Sequence, residues 1–245
     1  MTLRQRARRC PTAALGLTTL MTTVIMSGCS SAPSHPAAPA AAAPPGARTS
    51  ASAIDSRGTT AATTAIAEAI SATQALRAYS FSALQDVRGT HETRSTLTGQ
   101  AIRPASVGYL LLADGRRTQV IRLLKATYLK VGSGHWSRAR STTSPVDPAS
   151  SLIKLLRAVQ APTVGSAGPG QMLLHSLIPA TATRAAGLSA GSGAADVTIT
   201  LNAHHQVTRL QIRTDVTRPG NATAHVSLTT DYANFNAVPP LRPPV

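Results

Sequence analysis

The chain has 245 residues, with 24 Lys and Arg against 9 Asp and Glu for a net charge of +15, and 42% of its residues are hydrophobic although only seven are aromatic. That length suits one or two ordinary domains, and the patterned Val, Ile and Leu after residue 60 exclude a collagenous, coiled-coil or wholly disordered chain. No run of 18 or more apolar residues occurs, which excludes a polytopic helical membrane protein.

The first segment reads as an address. Arg4, Arg6, Arg8 and Arg9 form a basic start, Ala13 to Met26 is apolar, and Met26-Ser27-Gly28-Cys29 closes the segment with small residues before a cysteine. This resembles a bacterial lipoprotein signal, with residues 1–28 removed and Cys29 acylated by chains such as palmitate; ordinary secretory cleavage is the alternative. Cleavage takes four of the 24 basic residues, none of the acids, and Cys10. Cys29 is then alone and has no partner for an internal disulfide. Two or three acyl chains, at about 0.8 kcal/mol per buried CH₂, give a stable anchor. The expected location is the outer face of the cytoplasmic membrane.

Of the 29 residues from 30 to 58, 21 are Ala, Pro or Ser, and Ile54 is the only large aliphatic. Such a segment cannot bury a core. Together with Cys29 it makes a disordered tether, residues 29–58, reaching up to about 90 Å if extended at about 3.1 Å per residue. Residues 59–245 form the folded domain.

That domain opens with a helix over residues 60–78, because Ala62, Ile66, Ala69, Ile70, Thr73 and Leu76 share one arc at the helical period. The period then changes to that of strands. Residues 79–87, 96–102, 107–112, 118–124 and 126–131 alternate, with Ala113-Asp114-Gly115 as a hairpin turn and Gly132-Ser133-Gly134 turning the chain toward Trp136. Asp147 and Pro148 start a second helix, whose apolar face is Leu152, Leu155, Leu156 and Val159, and Pro162 ends it. Residues 163–190 show no clear strand. Three alternating strands close the chain, with Val197, Ile199 and Leu201, then Leu210 and Ile212, then Ala224, Val226 and Leu228 as same-face sets. The expectation is an α+β domain of about eight strands and two helices.

This order of pieces resembles the LppX/LprG family of actinobacterial envelope lipoproteins. The likeness rests on the cysteine and tether, one amphipathic helix and Thr127-Tyr128-Leu129-Lys130 followed by Gly134-His135-Trp136-Ser137-Arg138. A short helix, late strands ending in Thr230-Asp231-Tyr232 and a proline-rich end complete it. The resemblance implies a LolA-like fold: a curved antiparallel half-barrel sheet with helices on its concave face around an apolar cavity. It also implies a membrane-anchored protein that binds acyl lipids or glycolipids and carries them across the cell envelope, without catalysis or cofactor, with an envelope lipid transporter as a candidate partner. The candidate lining is Ile66 and Ile70 from the first helix, Val107, Tyr109, Leu111 and Tyr128 from the meander, and Leu152, Leu155, Leu156 and Val159 from the second helix. Val197, Ile199, Leu201, Leu210 and Ile212 complete it from the last strands.

The same aliphatic residues suit a fully packed core. The alternative function is then a lipoprotein of the same fold with a filled interior, acting as a sensor or as an accessory subunit of a transporter. Arg116, Arg117, Arg122, Lys125 and Lys130 either meet anionic headgroups or form a solvated face. So few aromatics in an exported chain argue against nucleic acid. Two catalytic strings occur. Gly187-Leu188-Ser189-Ala190-Gly191, followed by Asp215 and His225, matches a hydrolase order but lacks the strand and helix that a nucleophile elbow needs. Ser151-Leu152-Ile153-Lys154 matches S-x-x-K without its companion motifs. The histidines have no metal-ligand spacing, and His204-His205 belong to a turn.

Overall fold

The computed structural model describes residues 56–89, 92–104, 106–124, 126–140, 148–185, 192–217 and 223–244. Cys29, the signal, most of the tether, Lys125, Asp147 and the Gly187 to Gly191 string lie outside the described residues. Helix α1 is Ser56–Ala75, so it begins inside the expected tether and ends before residue 78. Its Ala-rich sequence favours the helix, and Thr63 and Thr73 return their hydroxyls to the carbonyls of Thr59 and Ala69 at 2.9 and 2.7 Å. Its buried stripe is Ala62, Ala65, Ile66, Ala69 and Thr73, continued just past its end by Leu76. The last turn holds no basic residue. Instead Arg103, far along the chain, donates to the Gln74 carbonyl at 2.8 Å and satisfies the open helix end.

Six strands follow: β1 (Ala78–Arg88), β2 (Thr93–Ile102), β3 (Ser106–Ala113), β4 (Arg116–Leu123), β5 (Ala126–Val131) and β6 (Ser137–Arg140). Helix α2 (Pro148–Ala158) leads to β7 (Gln160–Ser166) and β8 (Met172–Ile178), then α3 (Ala180–Ala185), β9 (Ser192–Leu201), β10 (Val207–Thr217) and β11 (Thr223–Ala233). All eleven strands form one curved sheet in the order β6-β5-β4-β3-β2-β1-β11-β10-β9-β8-β7, and every pairing is antiparallel. The first and last strands meet at the centre. One meander runs out from β1 to the β6 edge and a second runs in from the β7 edge to β11. The connection through α2 joins the two edges. Register shifts in the β9–β10 and β7–β8 pairs add the local twist that lets so wide a sheet curl.

Among the described residues the strand count exceeds the expected eight, and three helices stand where two were expected. The additions are β6, β7, β8 and α3, and the last three lie between Gln160 and Ala185, in the region where the sequence showed no strand. Pro162 and Gly165 belong to β7, the outermost strand, where a missing N–H faces no ladder partner. Gly168 and Gly170 take positive φ in the turn that follows, which only glycine adopts without strain.

One face of the sheet, the inner one, shares a core with the helices: Tyr79, Phe81, Val107, Leu174, Ile199 and Ile212 join Ala65, Ala69, Leu152 and Leu156. On the outer face the central strands carry the cross-strand pairs Arg209–Asp231 and His225–Asp215, each at 2.6 Å. The C-terminal segment straps this outer face. Asn236 accepts the amides of Arg77 and Ala78, and Leu241 lies over Gly108, where a methyl group would sit 2.7 Å from it. The described residues between 56 and 244 thus share one sheet and one core, the arrangement of a unit that folds on its own. Among the described residues no helix is long and apolar enough to cross a membrane.

Candidate functional site

The inner face is the candidate site, and its two halves differ. Over β7 to β11 it is roofed: α1 packs on β7 and α2, and α3 packs on β9 and α2. There Val197, Ile199, Leu201, Leu210 and Ile212 are buried, as are Leu152, Leu155 and Leu156 from α2 and Ile66 from α1. Ile70 and Val159 pack partly buried against the same core. A bulge at Thr208 lets Val207 face inward along with Leu210, since Val207 pairs Leu201 while Arg209 pairs Thr200.

Over β2 to β6, the inner face follows from the registers. Leu97 pairs Leu111 and Ala101 pairs Val107; Tyr109 pairs Val120 and Val107 pairs Arg122; Val120 pairs Leu129 and Thr118 pairs Val131. Antiparallel partners share a face, so these residues form one largely apolar strip from the central strands to the β6 edge, interrupted by Thr118 and the buried Arg122. Its burial fades along the way. Val107 and Val120 are buried, Tyr109 and Leu111 are half-buried, and Leu129 and Val131 are 38% and 56% exposed.

The registers and the shared core bring fourteen of the fifteen candidate lining residues into this inner layer and exclude Tyr128. Tyr128 pairs Ile121 and Arg138, which places it on the outer face with the Arg138 guanidinium 5.9 Å from its ring centre. The reason is strand parity: Tyr128 alternates with Leu129, and only Leu129 points inward.

The basic set divides in the same manner. Arg116 and Arg117 are exposed at a hairpin and Lys130 is half-buried on the outer face, whereas Arg122 is only 3% exposed on the inner face. A solvated-face reading therefore fails for Arg122. Its parity with Val120 was the available signal. Beside it, burial pushes the Tyr109 phenol up, and the Arg122 charge partly offsets that. Nearer the centre, Tyr79 and Tyr232 pack with ring centroids 6.0 Å apart, and burial raises the Tyr232 phenol further.

Asp215 and His225, the supposed partners of Ser189, are cross-strand neighbours on the outer face, 65% and 70% exposed. Ser151 and Lys154 sit on α2, half-buried and exposed. His204 and His205 lie in the β9–β10 turn, where His205 meets Glu68 of α1 at 3.0 Å. Among the described residues no group of three or more His, Cys, Asp or Glu is placed to hold a metal.

No protein-family model matches the sequence, and no curated protein does. Solved structures match the fold. The Mycobacterium tuberculosis lipoprotein LppX aligns over 75% of this chain and 99% of its own at 14% identity, with a TM-score of 0.52. LprF from Mycobacterium bovis aligns over 76% of this chain and 97% of its own at 15% identity, with a TM-score of 0.50. The chain therefore has the half-barrel fold of these LppX/LprG-type proteins.

Proposed function

We propose that this protein is an envelope lipoprotein that binds the acyl chains of a lipid or glycolipid against the inner face of its half-barrel and carries them across the cell envelope. The observation that carries this reading is the largely apolar strip over β2 to β5, which continues the packed core yet emerges at Leu129 and Val131 without a described helix packed on it. Leu, Val and Ala side chains suit flexible alkyl chains, and burying a 16-carbon chain is worth up to about 12 kcal/mol gross. Cys29, acylated, would hold the domain on the outer face of the cytoplasmic membrane, with the Ala/Pro/Ser segment as its tether and a lipid transporter as its partner. The likeness to LppX supports the fold on which this reading stands.

The test is native mass spectrometry with organic extraction on residues 56–245 expressed in an actinobacterial host. An acyl lipid in defined stoichiometry, reduced in Leu111→Asp, is expected. A clean apo mass that persists after incubation with host lipids would overturn the carrier reading in favour of an accessory lipoprotein with a filled core. Separately, Cys29→Ala is expected to release the full chain from the membrane fraction.

A further inference from the structure

One corner of the open wing combines three features that no other described part of the molecule combines. The β3–β4 hairpin and the β5–β6 turn lie side by side, because Thr118 pairs Val131 and the Gly132 amide donates to the Arg117 carbonyl at 2.8 Å. This sets Leu129 and Val131, 38% and 56% exposed on the inner face, beside the hairpin, whose outer face carries Leu112 at 46%. It places Trp136, half-buried and the chain's only Trp, on the same rim. Arg116 flanks the inner-face aliphatics at the hairpin, and Arg117, Lys130 and Arg138 line the outer face of the same corner, while Asp114 is the only acid between Ser106 and Arg140. The opposite edge of the sheet offers a contrast. There Val164 and Leu177 are also exposed, but residues 160–178 hold no Lys, Arg, Asp or Glu.

We infer that this corner docks on the surface of an anionic lipid bilayer. The chemistry matches term by term. Arginines and a lysine meet anionic headgroups, a Trp prefers the boundary between headgroup and acyl chain, and short aliphatics enter just below it. The inference rests on the lipid-binding reading of the inner face and deepens it. Leu129 and Val131 belong to the strip that runs inward through Val120 and Leu111, so a chain leaving the bilayer at this corner meets a continuous apolar surface. The single acid at the hairpin tip does not offset four cations, which makes the contact selective for negative membranes.

Trp136 provides the readout. Residues 56–245 are mixed with vesicles of phosphatidylcholine alone or with about a third phosphatidylglycerol, and emission and co-sedimentation are followed. The expected result is a blue shift and binding with the anionic vesicles only, weakened as salt rises from about 0.1 M to about 0.5 M, where screening shortens the reach of the cations. Arg116→Glu with Arg117→Glu should lower partitioning by about tenfold or more. Val131→Asp should remove the blue shift while the circular dichroism stays unchanged. Absence of anionic preference, or full binding by the double arginine variant, overturns the inference. Binding to an acidic protein with none to vesicles overturns it too and assigns the corner to a protein partner. Lipid content measured on the same sample separates the two readings: a lipid-loaded protein that ignores vesicles refutes docking alone, and a docking protein that never carries lipid refutes the carrier reading.

Discussion

Strands β9 and β5 present the same kind of inward alternation, Val197, Ile199 and Leu201 in one and Thr127, Leu129 and Val131 in the other. In β9 those residues are buried to within 1% of zero exposure, whereas in β5 Leu129 and Val131 stand 38% and 56% open. The difference is not in the strands. The three described helices pack on β7, β9 and one another, and among the described residues no helix packs closely on the outer strands of the other wing. Two identical patterns thus end as a sealed core and an open apolar surface, and only the second is free to meet a ligand.

The largest test of that contrast is on the sealed side. Ile199 is fully buried beneath the helices, so Ile199→Ala removes packed atoms from a site with little room to relax. A loss of about 2–5 kcal/mol is expected, read as a lower urea midpoint at unchanged slope. Next comes the seam between the halves. Gly99 sits on the inner face opposite Phe81, and a methyl group there would lie 2.8 Å from both the Phe81 ring and Tyr109 Cβ and would meet the Gly108 carbonyl. Gly99→Ala is expected to cost about 1–3 kcal/mol through overpacking.

The sequence made the faces legible and left the roof obscure. Periodicity identified the stripe of α1, the apolar face of α2 and the inward residues of β9 to β11, because each element is half-buried and alternates cleanly. It missed β7 and β8, where Pro162 and Gly165 mask an edge strand and Leu173, Leu174 and Leu177 blur the parity. It also placed Tyr128 with the lining, since a rim aromatic beside a Leu gives no hint of which one faces in. Above all, nothing local distinguishes Leu129 from Ile199. That distinction depends on where α1, α2 and α3 dock, a long-range outcome that residue spacing does not encode.

Smaller effects probe how the roof is held. Arg103→Ala withdraws a charged donor from the carbonyls of Gln74 and its neighbours at the end of α1. A loss of about 1 kcal/mol is expected by the same denaturation assay. Tyr232, on the inner face at the centre of the sheet, has its phenol raised by burial. Its folded pKa lies above the unfolded value of about 10. The unfolded chain therefore loses that proton first, and the stability tied to Tyr232 is intact below about pH 10 and falls as pH climbs further. Melting temperatures of Tyr232→Phe between about pH 8 and pH 11 should show a shallower alkaline decline than those of the unaltered protein.

The smallest stability effect belongs to the open wing, and its smallness is the informative part. Leu129 is 38% exposed and has no described helix packed on it, so Leu129→Ser forfeits only partial burial and leaves no enclosed cavity. A change of no more than about 1 kcal/mol is expected, against several for Ile199→Ala on the same face of the same sheet. If the strip exists to hold acyl chains, the variant should nevertheless retain less extractable lipid, because a hydroxyl interrupts the apolar path between Val131 and Val120. A variant that unfolds as readily as Ile199→Ala would show that the wing is packed in solution. One that keeps both its stability and its lipid would move the ligand away from β5 and toward the half-buried surface at Tyr109 and Leu111.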